Sequence, residues 1–398
     1  MQEKETPVLL LTGYLGSGKT TLLNRILTNR SGIKFAVVVN DIGEVNIDAD
    51  LIEKGGVVGQ KDDSLVALQN GCICCTLKMD LVQQLDDILK MNRFDYIVIE
   101  ASGICEPEPI ARTICSIPQM GGEYTRHGIA RLDCIVTVVD ALRMQSEFAC
   151  GDSLTRKGLD EDDIENLLIQ QIEFCNTVLL NKASEVAADE LAKTKQIIRH
   201  LQPKAEIIEC DYCDVDLDKI INTHLFDYER VATSAAWIHE IERIATDDEE
   251  REAKADHHHH HHDEEHEHHH DEGEAEEYGI GTFVYYRRKA FDINKFDHFV
   301  ARKWPKSVIR AKGICYFSDQ RDMSYLFEQA GVQQKLSESG LWLATAPHDE
   351  LQQMLAQDPG LLHDWDDTYG DRMIKIVFIG QHMDKSQIIR DLDDCLED

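Results

Sequence analysis

Three stretches of this sequence concentrate residues that can do chemistry. The first is Gly13-Tyr14-Leu15-Gly16-Ser17-Gly18-Lys19-Thr20, with Thr21 following. It matches G-x-x-x-x-G-K-[ST], and it lies between a predicted strand and a predicted helix. Gly13, Gly16 and Gly18 let backbone N–H groups close around phosphates. Ser17 and Thr21 complete the lining. The helix N-terminus adds partial positive charge. Lys19 is placed to reach the outer phosphates, and the Thr20 hydroxyl to ligate Mg²⁺. The second stretch, Gly71-Cys72-Ile73-Cys74-Cys75, puts three thiols within four residues. Thiolates suit zinc, Cu(I) and similar ions, and a divalent cation relieves their mutual repulsion. The fourth ligand of a tetrahedral site is a carboxylate from Asn40–Asp48, with Glu44 favoured, or a water, or a client residue. An open fourth position suits transfer of the metal. The adjacent pair Cys74–Cys75 would form a strained disulfide, which disfavours a redox role.

The third stretch, DHHHHHHDEEHEHHHDEGEAEE, carries ten of the 18 histidines. His257, His258, His259, His260, His261, His262, His266, His268, His269 and His270 are expected to collect several zinc ions loosely, since neutral imidazole binds Zn, Ni, Co and Cu. An expression tag would be terminal and would lack the interleaved acids.

Two further strand ends bear on the nucleotide. Tyr96-Ile97-Val98-Ile99-Glu100 runs into Ala101-Ser102-Gly103. A carboxylate at that position can hold Mg²⁺ through water or orient the attacking water. Gly103 leaves its N–H open to a γ-phosphate, and loss of that contact on hydrolysis would release the following segment. Asn181-Lys182-Ala183-Ser184 resembles the guanine-reading pattern N-K-x-D, with Ser184 where the carboxylate belongs and Glu185 next. A hydroxyl accepts less strongly than a carboxylate. Either Glu185 substitutes or guanine selectivity is weaker, and an ATP-using enzyme stays open.

Positioning these groups requires an α/β scaffold. Val8–Thr12, Phe35–Asn40, Tyr96–Glu100, Cys134–Asp140 and Thr177–Asn181 read as strands buried on both faces. Thr20–Thr28, Met79–Met91, Asp163–Cys175 and Ala187–Leu201 read as amphipathic helices. That alternation predicts a P-loop NTPase fold with a mostly parallel sheet. Between Thr246 and Glu277 hydrophobic residues almost vanish, so 236–277 reads as a flexible acidic, His-rich linker. The organisation expected is a nucleotide-binding domain over 1–235, this linker, and a small α+β domain over 278–398. The last would have strands at Ile280–Arg287, Val308–Tyr316, Leu341–Ala346 and Met373–Gly380. Its helices would be Ile293–Lys303, His348–Gln357 and Lys385–Leu396.

The formal net charge of −33 argues against nucleic acid and against an anionic membrane surface, while favouring cations and basic partner patches. No apolar run approaches the ~20 residues needed to span a bilayer, and no signal peptide is visible. The chain is expected to be cytoplasmic, with its 12 cysteines reduced.

Together the phosphate loop, Asn40–Asp48, Gly71–Cys75, Glu100–Gly103 and Asn181-Lys182 resemble the CobW-like GTPases, P-loop metallochaperones related to hydrogenase and urease maturation GTPases. Trp304-Pro305-Lys306, Arg310–Gly313, Gly370–Met373 and Val377–Gly380 look like that family's C-terminal domain. The likeness is closest to the zinc-responsive bacterial branch. It implies that Lys19, Glu100 and Asp41 are catalytic, that Asp41, Glu44 and Asp48 form a first switch, and that Glu100 and Gly103 belong to a second. It implies zinc on Cys72, Cys74 and Cys75, with GTP, Mg²⁺ and Zn²⁺ as ligands. A client metalloenzyme is the implied partner, with a homodimer left open. Hydrolysis is expected to be slow without a partner. A zinc buffer, or an insertase for cobalt, nickel or iron, is the alternative.

Overall fold

A computed structural model describes residues 4–28, 32–39, 67–69, 78–148, 161–227, 279–331, 333–347, 351 and 365–397. The chain divides into two compact units, Met1–Thr233 and Ser234–Asp398.

In the first unit the described elements are β1 (Glu5–Thr12), α1 (Lys19–Leu27), β2 (Phe35–Val39), β3 (Ala67–Gln69), α2 (Lys78–Met91), β4 (Tyr96–Glu100), α3 (Pro107–Ser116), β5 (Ile129–Asp140), α4 (Ala141–Phe148), α5 (Glu161–Glu173), β6 (Thr177–Asn181), α6 (Ala188–Leu201) and β7 (Glu206–Cys210). The seven strands run in the order β3-β2-β4-β1-β5-β6-β7, and every pairing is parallel. The apolar strand cores explain this: Val8 to Leu11, Ile97 to Ile99 and Val178 to Leu180 are all fully buried, as they must be with helices on both faces. Because the strands are parallel, Thr12, Val39, Gln69, Glu100, Asp140, Asn181 and Cys210 all end on one edge. β1 sits between β4 and β5, so chain order reverses there, which opens the crevice where open α/β sheets bind ligands.

The register between β1 and β5 slips after Val8, leaving Asp133 as the extra residue. This buried carboxylate accepts the Tyr96 hydroxyl at 2.6 Å and the backbone N–H groups of Thr223 and His224 at 3.1 and 2.7 Å. Burial, reinforced by Asp133, pushes the Tyr96 phenol far above its ordinary range.

The second unit holds β8 (Ile280–Arg287), α7 (Ile293–Arg302), β9 (Val308–Phe317), β10 (Gln320–Ala330), β11 (Gln333–Leu341), β12 (Ile374–Gln381) and α8 (Lys385–Asp393). Its five-stranded sheet runs β11-β10-β9-β12-β8 and is antiparallel throughout. Phe283, Phe291, Phe296, Phe299, Phe327 and Phe378 form its core, with Phe283 and Phe378 stacked at 5.0 Å.

The sequence expectations meet this fold with differences. A strand over Leu341–Ala346 does not form. Leu341 ends β11, and Leu343–Thr345 is a 3-10 turn. Asp371 causes the turn by accepting the Leu343 and Ala344 N–H groups at 2.8 and 2.9 Å, which removes them from any ladder. β3, α3, α4, β7, β10 and β11 are additions. The linker 236–277 lies outside the described residues, as does the helix expected at His348–Gln357 apart from Leu351.

Candidate nucleotide site

The phosphate loop joins β1 to α1. Gly13, Gly16 and Gly18 adopt φ values of 137°, 76° and 118°, which L side chains rarely tolerate. Space is also lacking at Gly18, where a Cβ would lie 2.5 Å from Asn181 Nδ2 and 2.9 Å from Cys213 Sγ. Gly18 caps α1 without any side-chain hydrogen bond, so the first helical N–H groups face the loop, as anion binding requires. Ser17 is buried, and its hydroxyl has no hydrogen-bond partner among the described residues. Lys19 is buried in the first turn of α1, and its ammonium donates to the Tyr14 carbonyl at 3.4 Å. Thr21 is exposed one position beyond Thr20. Tyr14 lies beneath the Arg143 guanidinium, 4.1 Å from its ring centroid, so a cation covers the loop from α4.

The structure brings Glu100 to this loop. It is buried at the end of β4, next to β1, and its Oε1 accepts the Thr20 hydroxyl at 3.4 Å. This hydroxyl and carboxylate, side by side behind a phosphate loop, form an oxygen donor pair that fits Mg²⁺, a hard cation that binds through few protein oxygens. Gly103 packs on the loop as well. A Cβ there would lie 2.8 Å from the Leu15 amide nitrogen, so the acidic strand end and the phosphate loop touch through a residue without a side chain.

Gln171 was not singled out in the sequence. Fully buried on α5, it donates Nε2 to the carbonyls of Gly103 and Cys105 at 3.4 and 3.1 Å. Its backbone carbonyl accepts the Thr137 hydroxyl at 2.8 Å, and Thr137 shares a 2.7 Å hydrogen bond with Thr12 at the end of β1. One chain of hydrogen bonds therefore connects the root of the phosphate loop to the segment after Glu100. A polar residue on the buried face of a helix was the only available signal.

Asn181 closes the far side. Its Nδ2 donates to the Ser17 carbonyl at 2.8 Å, and its Oδ1 accepts the Cys213 N–H at 3.0 Å. Lys182 takes a left-handed φ of 61° and pairs with Asp140, the carboxylate that also accepts the Leu142 N–H at 3.1 Å to start α4. Ser184 and Glu185 are exposed on a 3-10 turn, Ala183–Glu185. Cys210 and Cys213 flank Asn181. A hydrogen bond from Cys213 holds the Cys210 thiol below its ordinary range and Cys213 correspondingly above it.

Asp41, Glu44, Asp48, Cys72, Cys74, Cys75 and the ten histidines from His257 to His270 lie outside the described residues. Among the described residues, no group of three or more His, Cys, Asp or Glu side chains could hold a metal, and the eight cysteines there are free thiols. No helix among them is long and apolar enough to cross a membrane.

A phosphate loop at the crossover of a parallel sheet, backed by a strand-end carboxylate and an Asn-Lys strand end, defines a P-loop nucleotide-binding protein. Residues 7–209 match the CobW/HypB/UreG nucleotide-binding domain, and residues 280–396 match the cobalamin synthesis protein cobW C-terminal domain. The chain belongs to this family. It is 32% identical over 409 residues to zinc-regulated GTPase metalloprotein activator 1 of Dictyostelium discoideum, an alignment covering 99% of this chain and 80% of that one. It is also 32% identical over 232 residues to the zinc chaperone YjiA of Escherichia coli K12, covering 57% of this chain and 64% of that protein. The crystal structure of Zn(II)-bound YjiA GTPase aligns with a TM-score of 0.41 at 19% identity, covering 99% of this chain and 100% of that one.

Proposed function

We propose that this chain is a GTP-hydrolysing zinc metallochaperone, which holds zinc as cargo and lets nucleotide state set how tightly it is held before transfer to a client metalloprotein. The two relatives described above are named as a zinc-regulated GTPase metalloprotein activator and a zinc chaperone, which supports zinc as the cargo. The proposed cargo ligands are Cys72, Cys74, Cys75 and Glu44, with the histidines from His257 to His270 as a looser collecting tract. Asp41 is proposed to join Lys19 and Glu100 in the catalytic set. A cytoplasmic location fits free thiols that must stay reduced to bind metal.

The carrying observation is that Thr20 and Glu100 meet beside Lys19 on the edge where β3 ends, at Gln69, three residues before Cys72 in the chain. Lys19, now on the Tyr14 carbonyl, can turn outward to the terminal phosphates. The loop amides hold the phosphates in line, and Glu100 fixes the Thr20 hydroxyl. Mg²⁺ bound there would neutralise charge building on the β- and γ-phosphates. Turnover should be slow without a partner, as in unassisted switch GTPases, where a charge supplied by the partner at the γ-phosphate gives much of the rate.

If nucleotide changes zinc affinity, zinc must change nucleotide affinity by the same factor. Zinc titrations with a non-hydrolysable GTP analogue, with GDP and without nucleotide test this. Distinct affinities are expected; three equal ones would defeat the proposal. Lys19→Ala should remove the nucleotide dependence while leaving zinc binding itself intact.

A further inference from the structure

The guanine-reading pattern of this chain has a serine where a carboxylate is needed, yet the fold brings another carboxylate to that serine. β6 and β7 pair in parallel with Asn181 opposite Cys210, so the residues just beyond each strand emerge side by side on the phosphate-loop edge. There Asp211 Oδ1 accepts the Ser184 N–H at 3.1 Å. The contact is anchored from both sides. Asn181 holds the Ser17 carbonyl of the phosphate loop and the Cys213 N–H, two residues past Asp211. Arg25 of α1 donates to the Tyr212 carbonyl at 2.8 Å and to Asp214 at 2.7 Å, which ties the loop around Asp211 to the helix that begins at the phosphates. Glu185 is exposed at the end of its 3-10 turn and follows Ser184 outward from this junction.

We propose that Asp211 is the residue that selects guanine, in an exchange of roles in which the carboxylate sits after β7 and the hydroxyl residue after β6. This rests on the reading of the site as a GTP site. Guanine presents two adjacent donors, N1–H and the 2-amino group. A carboxylate accepts both, whereas adenine offers a bare ring nitrogen to that position and is repelled. One oxygen of Asp211 is committed to Ser184 N–H, and that bond orients the carboxylate. Xanthine differs from guanine by a carbonyl in place of the 2-amino group, so a carboxylate repels it, whereas an amide NH₂ donates a hydrogen bond to that carbonyl.

Asp211→Asn is therefore diagnostic. The amide oxygen can still accept the Ser184 N–H, which keeps the junction, while its NH₂ now faces the base. Equilibrium binding of fluorescent GDP, XDP and ADP to the full-length protein reads the outcome. GDP affinity should fall about 100-fold, as expected for two lost charge-assisted hydrogen bonds. XDP affinity should rise by a similar factor, a gain that a merely destabilised loop would not produce. Glu185→Gln should leave all three affinities unchanged. Unchanged GDP preference in Asp211→Asn, or a shift to XDP in Glu185→Gln instead, would overturn the assignment. If Asp211→Asn does not fold by circular dichroism, the exchange variant Ser184→Asp with Asp211→Ser decides: it should keep GDP over XDP, and loss of that preference would count against the proposal. Wild-type protein that fails to prefer GDP over ADP would refute the GTP reading itself, an outcome distinct from a silent Asp211.

Discussion

Replacing Gln171 by leucine cuts the hydrogen-bond relay at its far end, between α5 and the segment after Glu100, while the backbone link towards the phosphate loop stays. The side chain is fully buried and spends its amide on two carbonyls, Gly103 at 3.4 Å and Cys105 at 3.1 Å. Leucine has similar volume and no donor. Two lost hydrogen bonds, each worth about 0.5–1.5 kcal/mol and the longer one at the low end, cost about 1–3 kcal/mol. Some of this returns, because Gln171 Oε1 is buried without a hydrogen-bond partner among the described residues and leucine removes it. A net loss of about 1–2 kcal/mol lowers Tm by roughly 2–8 °C for a unit of this size. Function should suffer more than stability. The segment held by Gln171 is the one whose Gly103 lies against Leu15, and a misplacement of about 1 Å at a reacting centre can cost about 100-fold in rate. GTP turnover should drop at least tenfold while GDP affinity changes little, because GDP lacks the phosphate this segment would meet. Phosphate release, GDP titration and scanning fluorimetry measure the three quantities. A variant with wild-type turnover and wild-type Tm would refute the idea that Gln171 positions the switch.

Three further outcomes are expected. Gly103→Ala should impair turnover as well, since its new methyl meets the Leu15 backbone at 2.8 Å and cannot be relieved by a rotamer change; a single-turnover assay checks this. In the second unit, burial opposes ionisation of Glu328, but Lys312 at 3.5 Å and Arg310 at 3.3 Å outweigh it and hold the carboxyl below the ordinary glutamate range. A depressed folded value means that the stabilisation is complete above the unfolded value of about 4.3 and is lost as pH falls through the lower folded one. Denaturant midpoints followed by tryptophan fluorescence should thus decline below about pH 4, less steeply in Glu328→Gln. Deleting residues 257–270 should lower zinc stoichiometry, measured by atomic emission after dialysis, without changing basal GTP turnover.

What could be read directly from the chain was whatever physics writes locally. Glycines at 13, 16 and 18 before Lys19-Thr20 announce a phosphate loop, because their backbone angles and the helix start are consequences of adjacent residues. Strands β1, β2, β4, β5 and β6 announce themselves because burial on both faces demands unbroken runs of Val, Ile and Leu. Glu100 could be suspected from its place at such a run's end. The polar strands β10 and β11 gave no comparable signal. Their exposed residues, from Gln320 to Asp322 and from Gln334 to Leu336, carry no apolar alternation, and only pairing, of β10 with β9 and of β11 with β10, makes them strands. Gln171 and Asp211 were likewise mute in one dimension: an amide among helix residues and an aspartate in a loop have many ordinary fates. Their meaning comes from partners 66 and 27 positions away. Tertiary structure supplied those partners because the sheet sets β1 between β4 and β5 and lays β7 beside β6. That strand order depends on packing energy summed over the whole core, which no short stretch of sequence contains.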